Sequence, residues 1–336
     1  MKRISIFLLT TLLLASCLIT NRAQAVTQEA WSEAVTVYGA ALEQNNTLKD
    51  KTSTLLGSSS QDKTTFVYAE DLGKYLNLQS SNDVLKSSIR IKKLSSGSGL
   101  TLNINQSAGK ITKITEDTYK NALLTAGVTD ADVTIAAAED VTGESALAGV
   151  YKAFEAQGEP IDQAKTQVAQ EELNSIANIN EQNSGVNGYS QEQLNKAIAE
   201  AKAEIAKQGG NLNTTEIKNI VIQKIENNGL TNIINENQIN IIVNFIENAQ
   251  NNGIFNGENK DQLINSAKNY VDDIKNSDGF KKATDKAKEL GNNITDTLKD
   301  ESFWDKILNF FQSIIDWIVG LFIFQMIRII SPRINL

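Results

Sequence analysis

Five acidic residues stand close together in the middle of the chain and are its best candidates for chemistry. They are Asp130, Asp132, Glu139, Asp140 and Glu144. If loops at one edge of a sheet gathered them, two carboxyl groups could act as a glycosidase pair, or several oxygens could bind calcium. The alternative is that they are solvated acids at strand ends and helix starts. We favour this alternative and predict no metal site, keeping Asp132 and Glu144 as candidates for a ligand-binding or structural role.

The composition excludes most other catalytic machinery. The 336 residues include no histidine, and the single cysteine, Cys17, lies near the N-terminus. A Ser-His-Asp triad, a Cys-His dyad and an imidazole proton shuttle are therefore impossible. Two S-x-x-K matches, which begin at Ser60 and Ser107, lack the partner motifs of serine-lysine enzymes. We predict no catalytic residue and no cofactor, and hence a non-enzymatic protein.

The tripeptide Gly143-Glu144-Ser145 is similar to a nucleophile elbow but lacks its closing glycine. A better interpretation is the start of a helix, in which the side chain of Thr142 or Ser145 caps backbone amides.

Arg90 is the only arginine between Arg22 and Arg328. It alternates with isoleucines in the segment SIRIKKL, which places it on the polar face of a strand. Two interpretations stay open. The guanidinium is solvated, or it clamps a carboxylate that belongs either to a ligand or to this chain.

The elements that must position these residues begin with a region of short strands and helices at 26–158. The pattern predicts a hairpin over Ser88–Asn105, whose turn is the glycine-containing SSGSG. It also predicts a helix from Thr115 to Gly127, a strand over Asp132–Ala138, and a second helix that ends at Gly158. This order indicates an α/β-like N-terminal domain within an α+β protein.

The second half of the chain has a helical pattern. A helix from about Ile161 to Ala177 and a linker after it are predicted over 159–189, followed by a mainly α-helical domain over 190–298. Capping-box patterns that begin at Ser190, Asn213 and Asn235 each precede an apolar-periodic segment. The helix after Asn235 is nearly apolar on successive positions, so it is predicted to be the buried centre of that domain.

Both ends of the chain have patterns typical of export and membrane contact. Lys2 and Arg3, an apolar run and the cleavage pattern at 23–25 indicate a signal peptide over 1–25. Cys17 also fits a lipobox, in which it would be lipidated and become the mature N-terminus. Both alternatives predict an exported protein at the cell surface or outside the cell.

At the other end, a charged helix or tether is predicted over 284–297, and an amphipathic to apolar helix over 301–336. The second helix is predicted to contact a membrane, either spanning it or lying at the interface; docking on a protein core is the alternative. The predicted membrane-contacting residues are Trp304, Phe310, Phe311, Trp317, Phe322 and Phe324.

Several segments resemble the YpuA-like family of exported Gram-positive proteins, which is catalogued as a domain of unknown function. The resemblance is carried by VTVYGAAL, SSIRI, TEDTYKNALLTAGVTDADVTIAAAEDVTG and SALAGVYKAFE. It is specific over 35–155 and weaker in the helical half. The chain departs from the family pattern at Ala138-Glu139, where a proline-bearing turn is expected, and at Glu144, where a small residue is usual. The resemblance implies export and an architecture, but no established activity.

These observations predict an extracytoplasmic, non-enzymatic binding or scaffold protein of the bacterial cell envelope. The net charge of −8 repels phosphate backbones, so nucleic acid is not an expected partner. The expected partners are the membrane and a cell-wall polymer or another envelope protein. Two alternatives are a glycan hydrolase that uses carboxylates such as Asp132, Glu139 and Glu144, and a membrane-perturbing protein that acts through its C-terminal helix.

Overall fold

The computed structural model describes residues 30–257, 260–277 and 280–281. Several predicted features lie outside these residues, and their predictions stay untested. They are the signal peptide at 1–25 with Cys17, the charged helix at 284–297, and the segment 301–336 with its membrane-contacting aromatic residues. None of the helices within the described ranges is both long enough and apolar enough to cross a membrane.

A mixed five-stranded sheet forms the centre of the N-terminal region. Its strands are β1 (Val35–Gly39), β2 (Lys63–Val67), β3 (Ser88–Lys93), β4 (Leu100–Asn105) and β5 (Ala131–Ala136), in the spatial order β2-β1-β3-β5-β4. The pairs β1/β2 and β4/β5 are parallel, whereas β3 runs antiparallel to both of its neighbours. Four strands therefore end at the edge of the sheet where β3 begins.

The predicted hairpin over Ser88–Asn105 is wrong, although both of its strands exist. Strand β5 lies between β3 and β4, so Thr134 is opposite Arg90 on one side and Asn103 on the other. The start of β5 fits between the two ends of the β3–β4 connection. At one end the Leu94 amide donates to the Asp130 carbonyl, and at the other the Ala131 amide donates to the Gly99 carbonyl. Two of β5's apolar side chains, Val133 and Ile135, are fully buried, which favours the interior position.

The described residues include nine α-helices. They are α1 (Asn46–Leu56), α2 (Ala69–Leu76), α3 (Glu116–Ala126), α4 (Glu144–Ala156), α5 (Gln163–Asn183), α6 (Gln191–Lys207), α7 (Thr214–Asn227), α8 (Glu236–Asn251) and α9 (Lys260–Asn276). Helix α4 packs closely on one face of the sheet, where a Cβ on Gly149 would lie 3.2 Å from Ile89. Helix α1 covers part of the opposite face, where Leu56 packs with Tyr38 and Ala136.

Two helix starts next to the sheet differ in how they are capped. The backbone amide of Thr118 donates to the hydroxyl of Thr115, and Gly127 ends α3 with a φ of 90°, as predicted. The predicted cap of α4 is wrong, because its N-cap is Gly143 and no side chain caps it. Gly143 has a φ of 115°, and a Cβ there would lie 2.4 Å from the Tyr119 hydroxyl, so the turn requires glycine.

The helical half confirms the predicted helix starts. Asn213 and Asn235 form complete capping boxes, and the hydroxyl of Ser190 accepts the amide of Gln193. Helix α5 extends beyond its predicted end at Ala177 because residues in the expected linker, Ile179 among them, are buried. The prediction that α8 is a buried centre is wrong, since only one face is covered.

Helix α8 packs on α5 and α7 and leaves Ile241 39% exposed. Its run of isoleucines is interrupted by exposed asparagines, Asn240 and Asn244, which face away from the core. It is therefore an outer helix.

The apolar core runs without interruption from Trp31 in the sheet region to Ile274 in α9. Helix α3 connects the two halves, because it packs on β4 and also on α5 and α6. The described chain is thus an α+β protein, with a mixed sheet in its N-terminal part followed by a helical part, as predicted. The predicted division into domains at 158, 189 and 298 stays a prediction.

Candidate functional site

The five acidic residues do not converge. Asp130 and Asp132 lie at the start of β5, and the other three follow its end, so the six-residue strand separates the two groups by about 20 Å. Each acid has its own partner. The contacts are Asp130 with the Gly99 amide (2.8 Å), Asp132 with the Thr101 hydroxyl (2.7 Å), Glu139 with Lys86 (2.6 Å), Asp140 with the Lys110 amide (2.8 Å) and Glu144 with Lys113 (3.7 Å). Within the described ranges, no three acidic, cysteine or histidine residues are placed to hold a metal ion.

Arg90 clamps an acid of this chain. Its Nε and Nη2 atoms donate to the two carboxylate oxygens of Asp62 at 2.7 and 3.1 Å, and the Thr36 hydroxyl adds a hydrogen bond of 2.9 Å. Burial alone would raise the pKa of Asp62, but these hydrogen bonds outweigh it and hold the pKa below its usual value. Of the two open interpretations, the structure has the internal clamp, which joins β3 to the loop before β2.

The two S-x-x-K sequences form no serine-lysine pair. Lys63 donates to the backbone carbonyl of Ala156, and the Ser107 hydroxyl donates to the side chain of Asn105 at 2.7 Å. Each side chain therefore has a structural partner elsewhere.

The feature with the shape of a binding site is a groove along helix α5. Polar residues recur on this helix at spacings of three and four, which places them on one side. They are Gln167, Gln170, Glu171, Asn174, Asn178 and Glu181. Three clefts of about 540, 480 and 560 Å³ line up beside this stripe. Because α5 has 21 residues, the groove is about 30 Å long.

We call the first of these the amide cleft, because neutral side-chain amides dominate its lining. They belong to Asn77, Gln167, Gln170, Asn174, Asn178, Asn248 and Asn252. Asn77 ends α2 with a φ of 53° and is the one non-glycine residue with positive φ in the described chain. The single charged residue of the lining, Glu171, accepts a hydrogen bond of 2.8 Å from Asn248. This cleft therefore offers hydrogen-bond donors and acceptors with little net charge.

The central cleft shares Leu78, Asn174 and Asn178 with the amide cleft, so the two are contiguous. It lies where α4 and β3 begin and includes Ser87 and Ser145, whose hydroxyls hydrogen-bond to each other.

The turn at Gly143 is held by two hydroxyl groups. The Tyr119 hydroxyl donates to its carbonyl at 2.7 Å, and Ser87 approaches the same oxygen at 3.4 Å. Ser145 has a further contact of 3.3 Å with the carbonyl of Ser87. In the described chain, the hydroxyl groups of Ser87 and Ser145 therefore hydrogen-bond only to each other and to backbone carbonyls. Within the described ranges, no carboxylate or amine hydrogen-bonds to either hydroxyl, as a base that activates a serine would.

The distal cleft continues the groove beyond Lys113, which lines both it and the central cleft. Its lining is again mostly neutral and polar, with Thr112, Thr115, Asn180 and Gln191 beside the charged Glu181. The groove as a whole can hold a long, polar, mostly uncharged molecule through many weak hydrogen bonds.

Of the predicted site residues within the described ranges, only Glu144 lines this groove. Arg90 and Asp132 belong to the sheet face on the other side from α4. The groove was not predicted from the sequence, because 159–189 was interpreted only as a helix and a linker and no binding role was assigned to the polar face of that helix. The detectable signal was the helical recurrence of glutamine and asparagine in α5.

Fold and site together define an α+β protein that carries an elongated groove of neutral side chains. The chain belongs to the family described as "Protein of unknown function (DUF1002)", whose family model matches residues 38–267. It is similar to the uncharacterized protein YpuA of Bacillus subtilis (strain 168), with 32% identity over 256 residues, which are 75% of this chain and 76% of that protein. No solved structure matches the chain.

Proposed function

We propose that this protein is an extracytoplasmic, non-enzymatic binding or scaffold protein of the bacterial cell envelope, and that it holds its partner in the α5 groove. The observation that carries the proposal is the lining of the three clefts beside α5. It consists mainly of amide and hydroxyl groups, which bind polar ligands without reacting with them. The expected partner is a cell-wall polymer or another envelope protein.

The sequence supports the location. The basic, apolar and small-residue pattern of 1–25 favours export, and Cys17 or the apolar segment 301–336 would attach the protein to the membrane. Fractionation of producing cells followed by intact-mass measurement tests this part. A mature chain that begins at Val26, or one that begins at a lipidated Cys17, would support export, whereas an uncleaved cytosolic chain would contradict it.

The groove is tested by a charge placed where the amide and central clefts meet. Asn178 is exposed on α5 and lines both clefts, so Asn178→Arg introduces bulk and an unpaired charge with little effect on folding. We expect binding of the full chain to purified cell-wall sacculi to weaken about tenfold. Sedimentation of the protein with the sacculi measures this effect.

Asn244→Arg is the matched control, because Asn244 is also an exposed asparagine within a helix but lies on α8 and lines none of the three clefts. It should bind like the wild type. Equal binding by both variants would mean that the groove is not the binding surface.

The two alternatives give different results. A carboxylate hydrolase would release soluble fragments from the sacculi and lose this activity on substitution of Asp132, Glu139 or Glu144. A membrane-perturbing protein would release dye from liposomes only when the residues after Asp300 are present. Either result would overturn the proposal of a non-enzymatic binding protein.

A further inference from the structure

Gln170 is a buried amide that has no hydrogen-bond partner among the residues that the structure describes. Its side chain lines the amide cleft, only 2% of the residue is exposed, and neither Nε2 nor Oε1 has a hydrogen-bond partner in the described chain. Buried polar groups in native proteins are nearly always satisfied, since leaving them unpaired costs free energy. An unpaired amide beside a cleft is therefore a candidate for binding a ligand in that cleft.

A ligand in the cleft can bond to this amide only if the side chain rotates. Both amide atoms are covered in the present arrangement, so a molecule in the cleft must draw the amide outward. Because the Gln170 side chain has no hydrogen bond to any described residue, this rotation breaks none of those contacts. The hydrogen bonds that the Gln170 amide gains with the ligand then offset the entropy cost of ordering the rotated side chain.

The neighbouring side chains define the chemistry of the ligand. The amides offer both donors and acceptors, as Gln170 itself does, and Leu76, Leu78 and Val168 add apolar surface. The carboxylate of Glu171 is the one charge in the lining, and it already accepts a bond from Asn248. A complementary molecule is neutral, carries neighbouring donors and acceptors, and has an apolar edge.

We propose that the amide cleft is a subsite for an N-acetylated sugar unit of a linear glycan, and that the Gln170 amide binds it. This inference rests on the proposed function and deepens it. Hydroxyl and acetamido groups supply the donors and acceptors, while the ring carbons and the acetyl methyl group fit the leucine and valine surface.

An extended peptide fits this surface less well. Peptides in extended grooves are commonly held by main-chain hydrogen bonds to a free strand edge. The side of α5 offers no such edge, because its backbone groups are paired within the helix. Anionic polymers are disfavoured as well, since the chain carries a net charge of −8.

Calorimetric titration of the full chain with the β-1,4-linked tetramer of N-acetylglucosamine tests the proposal. We expect saturable binding, and binding by Gln170→Met that is at least about tenfold weaker. Methionine keeps the volume of glutamine but removes both polar atoms, so the variant should be as thermally stable as the wild type or more so. The side-chain amide resonance of Gln170, assigned by its absence from the variant, should shift on titration.

Gln163→Met is the control, because Gln163 is an exposed glutamine on the same helix and lines none of the three clefts. It should bind the tetramer like the wild type. Absence of tetramer binding while sacculi still bind would overturn the glycan subsite and leave the proposed function standing. Absence of both would overturn both. Equal tetramer affinity in Gln170→Met, or binding of an acetylated peptide of similar length instead of the tetramer, would also contradict the subsite.

Discussion

Asp117 is a partly buried acid whose ionisation costs stability. It lies in the first turn of α3, and the hydroxyl of Tyr270 on α9 donates to its backbone carbonyl at 3.0 Å. Burial raises the pKa of Asp117 to about 6, against the opposing effect of Lys120 and with a smaller contribution from the negative charge of Glu192. In the unfolded chain, the same carboxyl group has its ordinary pKa of 3.8.

The sign of the pH dependence follows from these two values. Between about pH 4 and pH 6 the folded state binds more protons at Asp117 than the unfolded state, so this residue's contribution to stability falls as the pH rises. Above about pH 6 its penalty is fully present. We therefore expect Asp117→Asn to raise the free energy of unfolding by about 1 to 3 kcal/mol at pH 7.

Urea denaturation of both proteins at a series of pH values measures this prediction. The difference between them should shrink as the pH falls from about 6 to 4 and vanish below that. Comparing the two proteins cancels the contributions of other groups, such as Asp62, whose lowered pKa acts in the opposite direction. A difference that did not vary with pH would show that the Asp117 carboxyl group is not the cause.

The sequence predicts which face of a strand a side chain occupies, but it does not predict which partner that side chain contacts. Arg90 was placed on the polar face, and the register of β3 with β1 and β5 agrees. Its partner Asp62 is 28 positions earlier, in a loop whose position depends on the pairing of β1 with β2. The lack of a hydrogen-bond partner for Gln170 among the described residues also depends on segments that are distant in sequence, so the sequence did not predict it.

One buried ion pair joins three helices of the described chain. Lys202 on α6 donates to Glu172 on α5 at 2.6 Å, and also to the carbonyl of Asn121 (2.9 Å) and the hydroxyl of Thr125 (3.0 Å) on α3. Thr125 in turn donates to Glu172. Both charged side chains are at most 1% exposed, so burial raises the pKa of Glu172 and lowers that of Lys202.

This arrangement predicts a non-additive pair of substitutions. Lys202→Met should lower the free energy of unfolding by about 3 to 5 kcal/mol, because it leaves the Glu172 carboxylate buried without its cation. Adding Glu172→Met removes the isolated charge and should restore most of the loss, since two apolar side chains can pack where the ion pair was. Chemical denaturation of the two single variants and the double variant forms the cycle. Additive losses would show that the two charges do not depend on each other.

Elements with strong local signals were the easiest to predict. The asparagine caps of α7 and α8 and the glycine end of α3 are set by residues within one turn of the helix, and all of them were read correctly. The predicted hairpin over Ser88–Asn105 was wrong because strand order depends on β5, which begins at Ala131, 26 residues after β4 ends at Asn105. The cap of α4 was wrong because Ser145 bonds to Ser87, far away in sequence.

The continuous apolar core determines how the sheet region and the helical region unfold. Trp31 is 7% exposed, donates to Glu159 at 3.0 Å and packs edge-on against Phe154 with ring centroids 4.8 Å apart, so its fluorescence reports on the sheet region. Far-UV circular dichroism reports mainly on the helices. Because the core and the buried ion pair join the two regions, we expect them to unfold together.

The experiment uses the full chain with Trp304→Phe and Trp317→Phe, which leaves Trp31 as the single tryptophan. Urea transitions followed by fluorescence and by circular dichroism should coincide in midpoint and slope. Lys202→Met in this background should shift both transitions by the same amount, although Lys202 lies in the helical half. If circular dichroism still showed helix after the Trp31 transition was complete, the two regions would be independent folding units. That outcome would agree with the domain boundary that the sequence pattern predicts at residue 158.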